Sequence, residues 1–199
     1  MRIVTGKYKG RHFDIPRTFK ARPTTDFAKE NIFNVLTQYV DFDDADALDL
    51  FSGTGSITLE LLSRGCRQVI SVELDRDHHR FITDCLQKLG IATSLRVTPP
   101  VLSSSPQAPQ SGTCLPIRGD VFRFLKSCRQ QFDFIFADPP YALRELPQIP
   151  DLILRDGDRQ LLKEGGVFVF EHGSNYDFSG HPRFQEHRSY GSVNFTIFR

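Results

Sequence analysis

The sequence contains no tryptophan, one methionine and four cysteines among its 199 residues, and its apolar runs are short. Runs such as 134–137 and 167–170 fall far below the roughly 18 consecutive apolar residues that a transmembrane helix needs. With 39% hydrophobic and 25% charged residues, the composition is typical of a folded globular protein and excludes a disordered or collagen-like chain. Eighteen phenylalanines predict a core built from phenylalanine and aliphatic side chains.

The cysteine spacing favours neither a disulfide framework nor a zinc site. No two cysteines form a C-x-x-C pair, and no histidine lies at zinc-ligand spacing from Cys66, Cys85, Cys114 or Cys128. The N-terminus lacks the apolar segment of a signal peptide, so we expect a cytoplasmic protein with reduced thiols and no metal. We also expect a monomer, because no coiled-coil pattern is evident.

Positive charge is concentrated at the N-terminus, although the whole chain has a net charge of only +1. Residues 1–25 contain one acid, Asp14, and seven cations, namely Arg2, Lys7, Lys9, Arg11, Arg17, Lys20 and Arg22. This asymmetry fits either a surface that binds a polyanion or a solvated arm, and charge alone does not decide between them. We call residues 2–22 the basic arm.

From residue 45 onward, short apolar runs alternate with amphipathic segments that end at glycine. We predict strands at residues 47–51, 68–73, 114–117, 132–137 and 167–171, and a final pair at 183–190 and 192–198. Helices are predicted at residues 56–63 and 75–89, with a further helix ending at 161–163. The alternation predicts an α/β fold with a mostly parallel sheet, covered on both faces, and a C-terminal antiparallel hairpin.

The first 44 residues do not follow this alternation. Turn signals at Gly6 and Gly10 predict a hairpin or a loose two-strand arm over residues 2–15, and Thr25 or Asp26 is predicted to cap a helix that ends near residue 39. We therefore divide the chain into residues 1–44 and 45–199. Within the second unit, residues 98–113 contain four prolines, four serines and no charge, which predicts a mobile insertion.

A glycine turn follows the first strand of the α/β region, in the pattern Asp49-x-Phe51-x-Gly53-x-Gly55. Glycines at a strand-to-helix turn let the backbone approach a ligand closely. The turn lacks the third glycine of a dinucleotide fingerprint and the lysine of a phosphate-binding loop. It therefore favours a nucleoside-like ligand over a dinucleotide or a triphosphate.

Two further acids follow the next two strands. Glu73 ends the second strand, where a carboxylate can bind the hydroxyls of a ribose, and the alternative is an ordinary surface carboxylate. Asp120 follows the third strand, where it could accept from an adenine amino group or cap a helix, and one aspartate can do both.

The segment Asp138-Pro139-Pro140-Tyr141 comes directly after a predicted buried strand. Two prolines restrict the backbone, an ionised aspartate only accepts hydrogen bonds, and the carbonyl of Pro139 is a second acceptor. These acceptors suit the two hydrogens of an exocyclic amine, and Tyr141 offers a flat face for stacking on its base. A plain tight turn would explain the prolines but not the residues beside them.

These motifs, in their order, resemble those of class I S-adenosylmethionine-dependent methyltransferases, and the D-P-P-Y form resembles that of enzymes acting on exocyclic or amide nitrogens. The N-terminal R-I-V-x-G and K-G-R motifs, the R-P-T-T-D run at residues 22–26, E-x-x-F-N at 30–34 and R-x-Y-G at 188–191 resemble the RsmD family of ribosomal RNA methyltransferases. Residues 27–29 depart from the family, which usually has an arginine-containing run there.

The resemblance implies a Rossmann-like class I fold with seven strands and methyl transfer to the N2 amine of a guanine in small-subunit (16S) rRNA. It implies S-adenosylmethionine as cofactor, released as S-adenosylhomocysteine, at Asp49, Phe51, Ser52, Gly53, Thr54, Gly55, Glu73, Leu74, Asp120 and Val121. It implies catalytic roles for Asp138, Pro139, Pro140 and Tyr141. It implies contacts with rRNA, or with an assembled 30S particle, at Arg2, Lys7, Lys9, Arg11, Arg22 and Thr24.

Other functions fit part of the pattern. The D-P-P-Y chemistry serves adenine N6 in DNA or RNA equally well, although 199 residues leave no room for a dedicated DNA-recognition domain. A protein glutamine methyltransferase would have asparagine in place of Asp138. A non-catalytic RNA-binding factor for ribosome assembly could keep the same fold.

Overall fold

The computed structural model describes residues 1–19, 25–93 and 112–199 and contains five α-helices and seven strands within them. The helices are α1 (Asp26–Leu36), α2 (Ser56–Ser63), α3 (Arg76–Lys88), α4 (Val121–Ser127) and α5 (Ile149–Ile153). The strands are β1 (Asp46–Leu50), β2 (Gln68–Glu73), β3 (Thr113–Arg118), β4 (Phe132–Ala137), β5 (Leu162–His172), β6 (Phe184–Tyr190) and β7 (Val193–Phe198). Single 3₁₀ turns lie at Leu146–Gln148 and Gly157–Arg159.

The seven strands form one sheet in the order β3-β2-β1-β4-β5-β7-β6. Strands β1 to β5 pair in parallel, whereas β7 lies antiparallel between β5 and β6. The chain leaves β1 toward β2 on one side and returns to place β4 on the other. This reversal opens a crevice at the carboxyl ends of β1 and β4, the usual ligand position in such sheets.

Helices cover both faces of the sheet. Successive side chains along a strand point to opposite faces, so each strand contributes to two cores. Ala47 of β1 lies in the core that also buries the apolar sides of α1, α2 and α3. Leu48 and Leu50 lie in the core formed with α4 and α5. The large buried side chains are mainly phenylalanines, as predicted, and include Phe33, Phe132, Phe134, Phe136, Phe168, Phe170, Phe195 and Phe198. Among the described residues, no helix is both long and apolar enough to span a membrane.

The predicted N-terminal hairpin or loose two-strand arm is confirmed. An antiparallel bridge joins Arg2 to His12, and the backbone N–H groups of Ile3 and Phe13 donate to the carbonyls of Arg11 and Met1 at 3.0 and 2.9 Å. The backbone N–H groups of Val4 and Thr5 donate to the two carboxylate oxygens of Glu60, at 2.8 and 3.0 Å. The side chain of a helix in the α/β region thus satisfies backbone donors of the N-terminal segment.

The helix predicted to end at residues 161–163 is wrong. Leu162 pairs with Phe132, and the strand β5 already begins there. The Nζ atom of Lys163 donates to the side chain of Asp133 in β4 at 2.8 Å, so this lysine links β5 to the neighbouring strand. The preceding helix, α5, ends at Ile153. Of the predicted insertion, residues 98–111 lie outside the described residues, and Thr113 is the first residue of β3.

Candidate functional site

A cavity of about 1300 Å³ opens at the carboxyl ends of the parallel strands. Thirteen of the fourteen residues predicted to bind cofactor or to act in catalysis line it, namely Asp49, Phe51, Ser52, Gly53, Thr54, Glu73, Leu74, Asp120, Val121, Asp138, Pro139, Pro140 and Tyr141. Gly55 does not line it and instead precedes α2 as its N-cap. The volume exceeds the 300–1,000 Å³ typical of single-ligand pockets, so two ligands can fit together.

The glycine turn between β1 and α2 is shaped by left-handed backbone at Phe51, Gly53 and Gly55, with φ angles of 59°, 51° and 75°. At Gly55 the reason for glycine is also steric, since a Cβ there would lie 2.8 Å from Cγ1 of Ile82. Glycine therefore lets α3 pack closely against the turn. This packing fixes the position of the turn, which forms part of the cavity wall.

Glu73 holds the same turn from the neighbouring strand. Its Oε2 accepts from the N–H of Gly53 at 2.7 Å, and its Oε1 accepts from the N–H of Asp75 at 2.8 Å. The side chain is buried yet lines the cavity. Each carboxylate oxygen has two lone pairs, so Glu73 can hold the turn and still accept from ribose hydroxyls. Its predicted ribose contact stays a prediction.

Asp49 is buried at the end of β1, with 1% of its surface exposed. The hydroxyl of Thr58 donates to its Oδ2 at 2.5 Å. Burial raises the pKa of Asp49 to about 7, and the nearby charge of Glu73 acts in the same direction. A negative charge at this position is therefore costly without a positively charged ligand.

Asp120 is the N-cap of α4, as one of its two interpretations predicted. Its Oδ1 accepts from the N–H of Arg123 at 2.8 Å, and the side chain also lines the cavity. Val121, which begins the helix, is buried. Leu74, after Glu73, is 67% exposed and places an apolar side chain at the cavity wall. The predicted adenine contact of Asp120 stays a prediction.

The D-P-P-Y segment follows β4 directly and lines the cavity with all four of its residues. The N–H of Asp138 donates to the carbonyl of Leu50 at 3.3 Å, which ties the start of the segment to β1. Pro139 is buried and Pro140 is exposed. Tyr141 is 44% exposed, and its hydroxyl donates to Oε1 of Glu171 at 3.2 Å. The ring is thus held at one end while part of its surface stays open.

The pKa of the Asp138 carboxyl lies well above its ordinary value. Burial is the main cause, and the nearby carboxylates of Glu171 and Asp49 add to it. Burial and the same acids raise the pKa of Tyr141 as well, so its hydroxyl stays protonated and donates. The Asp138 carboxylate is therefore a stronger base than that of an ordinary aspartate, whose pKa is about 3.9.

Glu171 was not predicted from the sequence, yet it is 5% exposed and lines the cavity beside Asp138. A signal for it was present, since Glu171 ends an apolar strand in the same way that Glu73 does. The adjacent His172 is fully buried and lies between the carbonyl of Gly173 and the hydroxyl of Thr196. Burial lowers the pKa of His172, which fits a packing role.

The described part of the basic arm, residues 2–19, does not line the cavity. Its cations Arg2, Lys7, Lys9 and Arg11 are exposed. The predicted contacts Arg22 and Thr24 lie outside the described residues, as does the residue Lys20 of the same arm. Lys29, in the segment that departs from the family pattern, is fully buried, which the sequence did not predict. Lys29 therefore takes no part in an external basic surface.

The lining of the cavity is acidic. Its charged side chains are Asp49, Glu73, Asp75, Asp120, Asp138 and Glu171, with Arg76 as the only lysine or arginine among the described lining residues. Phosphate groups would be repelled by this set, whereas a positively charged nucleoside is attracted. No group of three or more metal-ligating side chains is found in the described ranges.

The strand order, with β7 inserted antiparallel, the glycine turn after β1, the acid after β2 and the D-P-P-Y segment after β4 define a class I methyltransferase. In the comparison with protein families, the model of the family described as "Conserved hypothetical protein 95" matches residues 1–199, and the chain belongs to this family.

Relatives carry the name that the resemblance implied. The chain is 32% identical over 155 residues to the Ribosomal RNA small subunit methyltransferase D of Haemophilus influenzae. The match covers 77% of this chain and 70% of the relative. The resemblance to the RsmD family is thereby confirmed.

Solved structures confirm the fold. A protein of Thermus thermophilus, described as hypothetical, superimposes with a TM-score of 0.75 at 23% identity. The match covers 100% of this chain and 99% of the T. thermophilus chain. The T. thermophilus 16S rRNA N2 G1207 methyltransferase (RsmC), solved with AdoMet and guanosine, has a TM-score of 0.63 at 16% identity. That match covers 91% of this chain and 44% of RsmC.

Proposed function

We propose that the protein transfers a methyl group from S-adenosylmethionine to the exocyclic N2 amine of a guanine in small-subunit (16S) rRNA. The observation that carries this proposal is one cavity in which the glycine turn and Glu73 meet the D-P-P-Y segment. The name of the relatives and the guanosine bound by RsmC support the same substrate class.

The cavity chemistry fits S-adenosylmethionine. Six carboxylates and one arginine line the cavity, which suits a sulfonium cation with an amino group and disfavours a dinucleotide. Glu73 would hold the ribose hydroxyls, Asp120 the adenine amino group, and Leu74 the adenine face. When bound, the cofactor supplies a methyl group on a good leaving group.

Asp138 and Pro139 prepare the amine. The lone pair of a guanine amino group is delocalised into the ring, so the nitrogen is a poor nucleophile. If the carboxylate of Asp138 and the carbonyl of Pro139 accept its two hydrogens, the nitrogen is drawn toward a tetrahedral shape with its lone pair free. The raised pKa of Asp138 also makes its carboxylate a better acceptor for the proton that the product must lose.

Tyr141 and the basic arm hold the RNA. The half-exposed ring of Tyr141 stacks on the target base after it leaves its helix. The exposed cations Arg2, Lys7, Lys9 and Arg11 contact phosphates, which positions the RNA without selecting a sequence. Residues 1–44 thus serve RNA contact and residues 45–199 serve methyl transfer.

Partners and location follow from this substrate. An rRNA or an assembled 30S particle is the macromolecular partner, and the enzyme acts as a monomer in the cytoplasm, where small subunits are made. The described residues contain no metal-ligating cluster, and no step of the proposed reaction uses a metal.

The test is methyl transfer from labelled S-adenosylmethionine to naked 16S rRNA and to 30S particles that lack the modification. Wild type should label a guanine N2, and Asp138→Ala should lose at least about 10²-fold in rate because the amine loses an acceptor. Asp84→Ala, at an exposed aspartate of α3, is the matched control and should keep full activity. Label on adenine N6 would support the alternative substrate, and cofactor binding without transfer would support an assembly factor.

A further inference from the structure

Glu171 and Asp138 lie side by side at the ends of neighbouring strands. Ala137 of β4 and Phe170 of β5 are register partners, and each is followed directly by one of the two acids. Both carboxylates line the same cavity, and Glu171 is 5% exposed. A buried carboxylate beside a partly buried one is unfavourable unless hydrogen-bond donors meet them.

Tyr141 supplies one of those donors. Its hydroxyl bonds to Oε1 of Glu171 at 3.2 Å and fixes the carboxylate toward the D-P-P-Y segment. A carboxylate accepts about four hydrogen bonds, so Glu171 can bond to Tyr141 and also accept from a ligand. The pair Asp138 and Glu171 therefore presents neighbouring acceptors to a ligand between them and the ring of Tyr141.

We infer that Glu171 accepts the N1–H of the target guanine while Asp138 accepts from its N2 amine, so that the two acids together select guanine against adenine. The inference rests on the function proposed above and names the residue that would determine its base specificity.

The hydrogen-bonding edges of the two bases explain the selection. In guanine, the N2 amine is flanked by N1–H, and both groups donate in the same direction. In adenine, the N6 amine is flanked by N1, whose lone pair would face the carboxylate of Glu171. A site built to accept a hydrogen rejects a base without it, because its buried acceptor is then left unpaired.

A purely supporting role for Glu171 makes a different prediction. If Glu171 only holds the ring of Tyr141 in place, removing the hydroxyl should reproduce the effect of removing the carboxylate. Tyr141→Phe keeps the ring and deletes the hydrogen bond at 3.2 Å, so it separates the two roles.

The experiment uses 2-aminopurine, which keeps the N2 amine of guanine but has an unprotonated N1. The wild-type reaction first maps the methylated nucleotide, and RNA fragments are then ligated with guanine or 2-aminopurine at that position. Single-turnover methyl transfer to both RNAs is measured for wild type, Glu171→Gln and Tyr141→Phe. Binding of S-adenosylhomocysteine and thermal melting show that each variant is folded.

Wild type should prefer guanine over 2-aminopurine by at least about 10²-fold. Glu171→Gln should reduce this preference at least about 10-fold, because the amide of glutamine can donate to the N1 of 2-aminopurine. Tyr141→Phe should keep the preference within about 3-fold of wild type, since a ring that still stacks holds both bases alike. Comparing ratios cancels the intrinsic reactivity of the two amines.

Three results would overturn the inference alone while the proposed function stands. In the first, the wild-type enzyme methylates 2-aminopurine as fast as guanine. In the second, Glu171→Gln slows methylation of both substrates by the same factor. In the third, Tyr141→Phe changes the preference for guanine as much as Glu171→Gln does. The first needs no variant and therefore decides even if Glu171→Gln does not fold. Wild type that transfers nothing to guanine would overturn both proposals.

Discussion

The ammonium group of Lys29 donates a hydrogen bond to the hydroxyl of Ser56 at 3.0 Å, in the interior of the protein. The same group donates to the carbonyl of Arg2 at 2.6 Å and lies 3.9 Å from the carboxylate of Glu60. Burial lowers the pKa of Lys29, and the charge of Glu60 opposes that shift. One buried cation thus connects the basic arm, α1 and the start of α2, next to the cavity.

Glu60 is the centre of this network, and removing its carboxylate should destabilise the fold. Glu60→Ala leaves the N–H groups of Val4 and Thr5 without their acceptor and removes the buried carboxylate that lies 3.9 Å from the ammonium of Lys29. We expect a loss of about 3 kcal/mol in the free energy of unfolding, measured by urea denaturation. Faster hydrogen exchange at Val4 and Thr5 should accompany it.

The control for this loss is Glu164→Ala, at an exposed glutamate of β5, which should change the free energy of unfolding by less than about 0.5 kcal/mol. Equal losses in the two variants would contradict a structural role for the network.

The rate of methyl transfer should fall at acidic pH, because protonation of Asp138 removes its negative charge and turns one of its oxygens into a hydrogen-bond donor. Its pKa is raised by burial and by Glu171 and Asp49, so protonation begins at a higher pH than for an ordinary aspartate. The acid limb of a single-turnover rate profile should therefore lie well above about pH 4. Glu171→Gln removes a like charge and should move that limb to lower pH; an unmoved limb would argue against coupling of these carboxyls.

Asp49→Asn should stabilise the protein at neutral and basic pH. The folded-state pKa of Asp49 is raised to about 7, so the folded protein binds this proton more tightly than the unfolded chain does. Stability from this group is therefore present at low pH and is lost as the pH rises toward about 7. The gain in the variant should grow from near zero at about pH 4 to on the order of 2 kcal/mol at about pH 8.

Thermal and urea unfolding across this pH range measure the effect, with Asp84→Asn as the exposed control. A gain that does not depend on pH would mean that a charge at Asp49 is not the cause. The same substitution should weaken binding of S-adenosylmethionine, because the cavity loses a carboxylate that attracts a cation.

Substitutions of Tyr141 should show, through kcat/KM for RNA methylation, whether its ring stacks on the target base. Tyr141→Ala removes the half-exposed ring and should lower kcat/KM for RNA at least about 10-fold, the effect of one lost base–aromatic stack. Tyr141→Phe should stay within about 3-fold of wild type on guanine RNA. Equal activity of the alanine and phenylalanine variants would show that the ring does not hold the base.

The salt dependence of RNA binding should report the basic arm. The combined substitution Lys7→Ala, Lys9→Ala and Arg11→Ala should reduce the slope of log K against log salt by about 2, since each phosphate contact contributes about 0.7 on single-stranded RNA. Lys126→Ala, at an exposed lysine of α4, should leave the slope unchanged. A slope that is the same in both proteins would place the RNA on another surface.

The sequence predicted most of the sheet, because its central strands are buried and several of its turns contain glycine. The bounds of α2 and β4 match the predictions, since Gly55 and Gly65 flank one and Asp138-Pro139 ends the other. The start of β5 was missed because Leu161-Leu162-Lys163 fits a helix end equally well. Only the tertiary partner Asp133 distinguishes the two.

The cavity was predictable where a motif follows a strand directly, as with Glu73 and Asp138. Contacts between distant segments were not, because no local pattern marks Glu60 as the acceptor for Val4, 56 residues away. Burial of Lys29 was likewise hidden, since a lysine on a helix is usually solvated. Glu171 carried a readable signal, a terminal acid after an apolar run.

Among the described strands, β3 is the outermost at one end of the sheet. Its outward backbone donor at Cys114 is taken by the carbonyl of Ala92 at 3.0 Å, and two residues on, Pro116 has no N–H to offer. The Pro116 carbonyl lies 3.3 Å from Nε2 of His79. This edge is therefore a poor template for strand addition by a second molecule, which protects the chain against edge-to-edge aggregation.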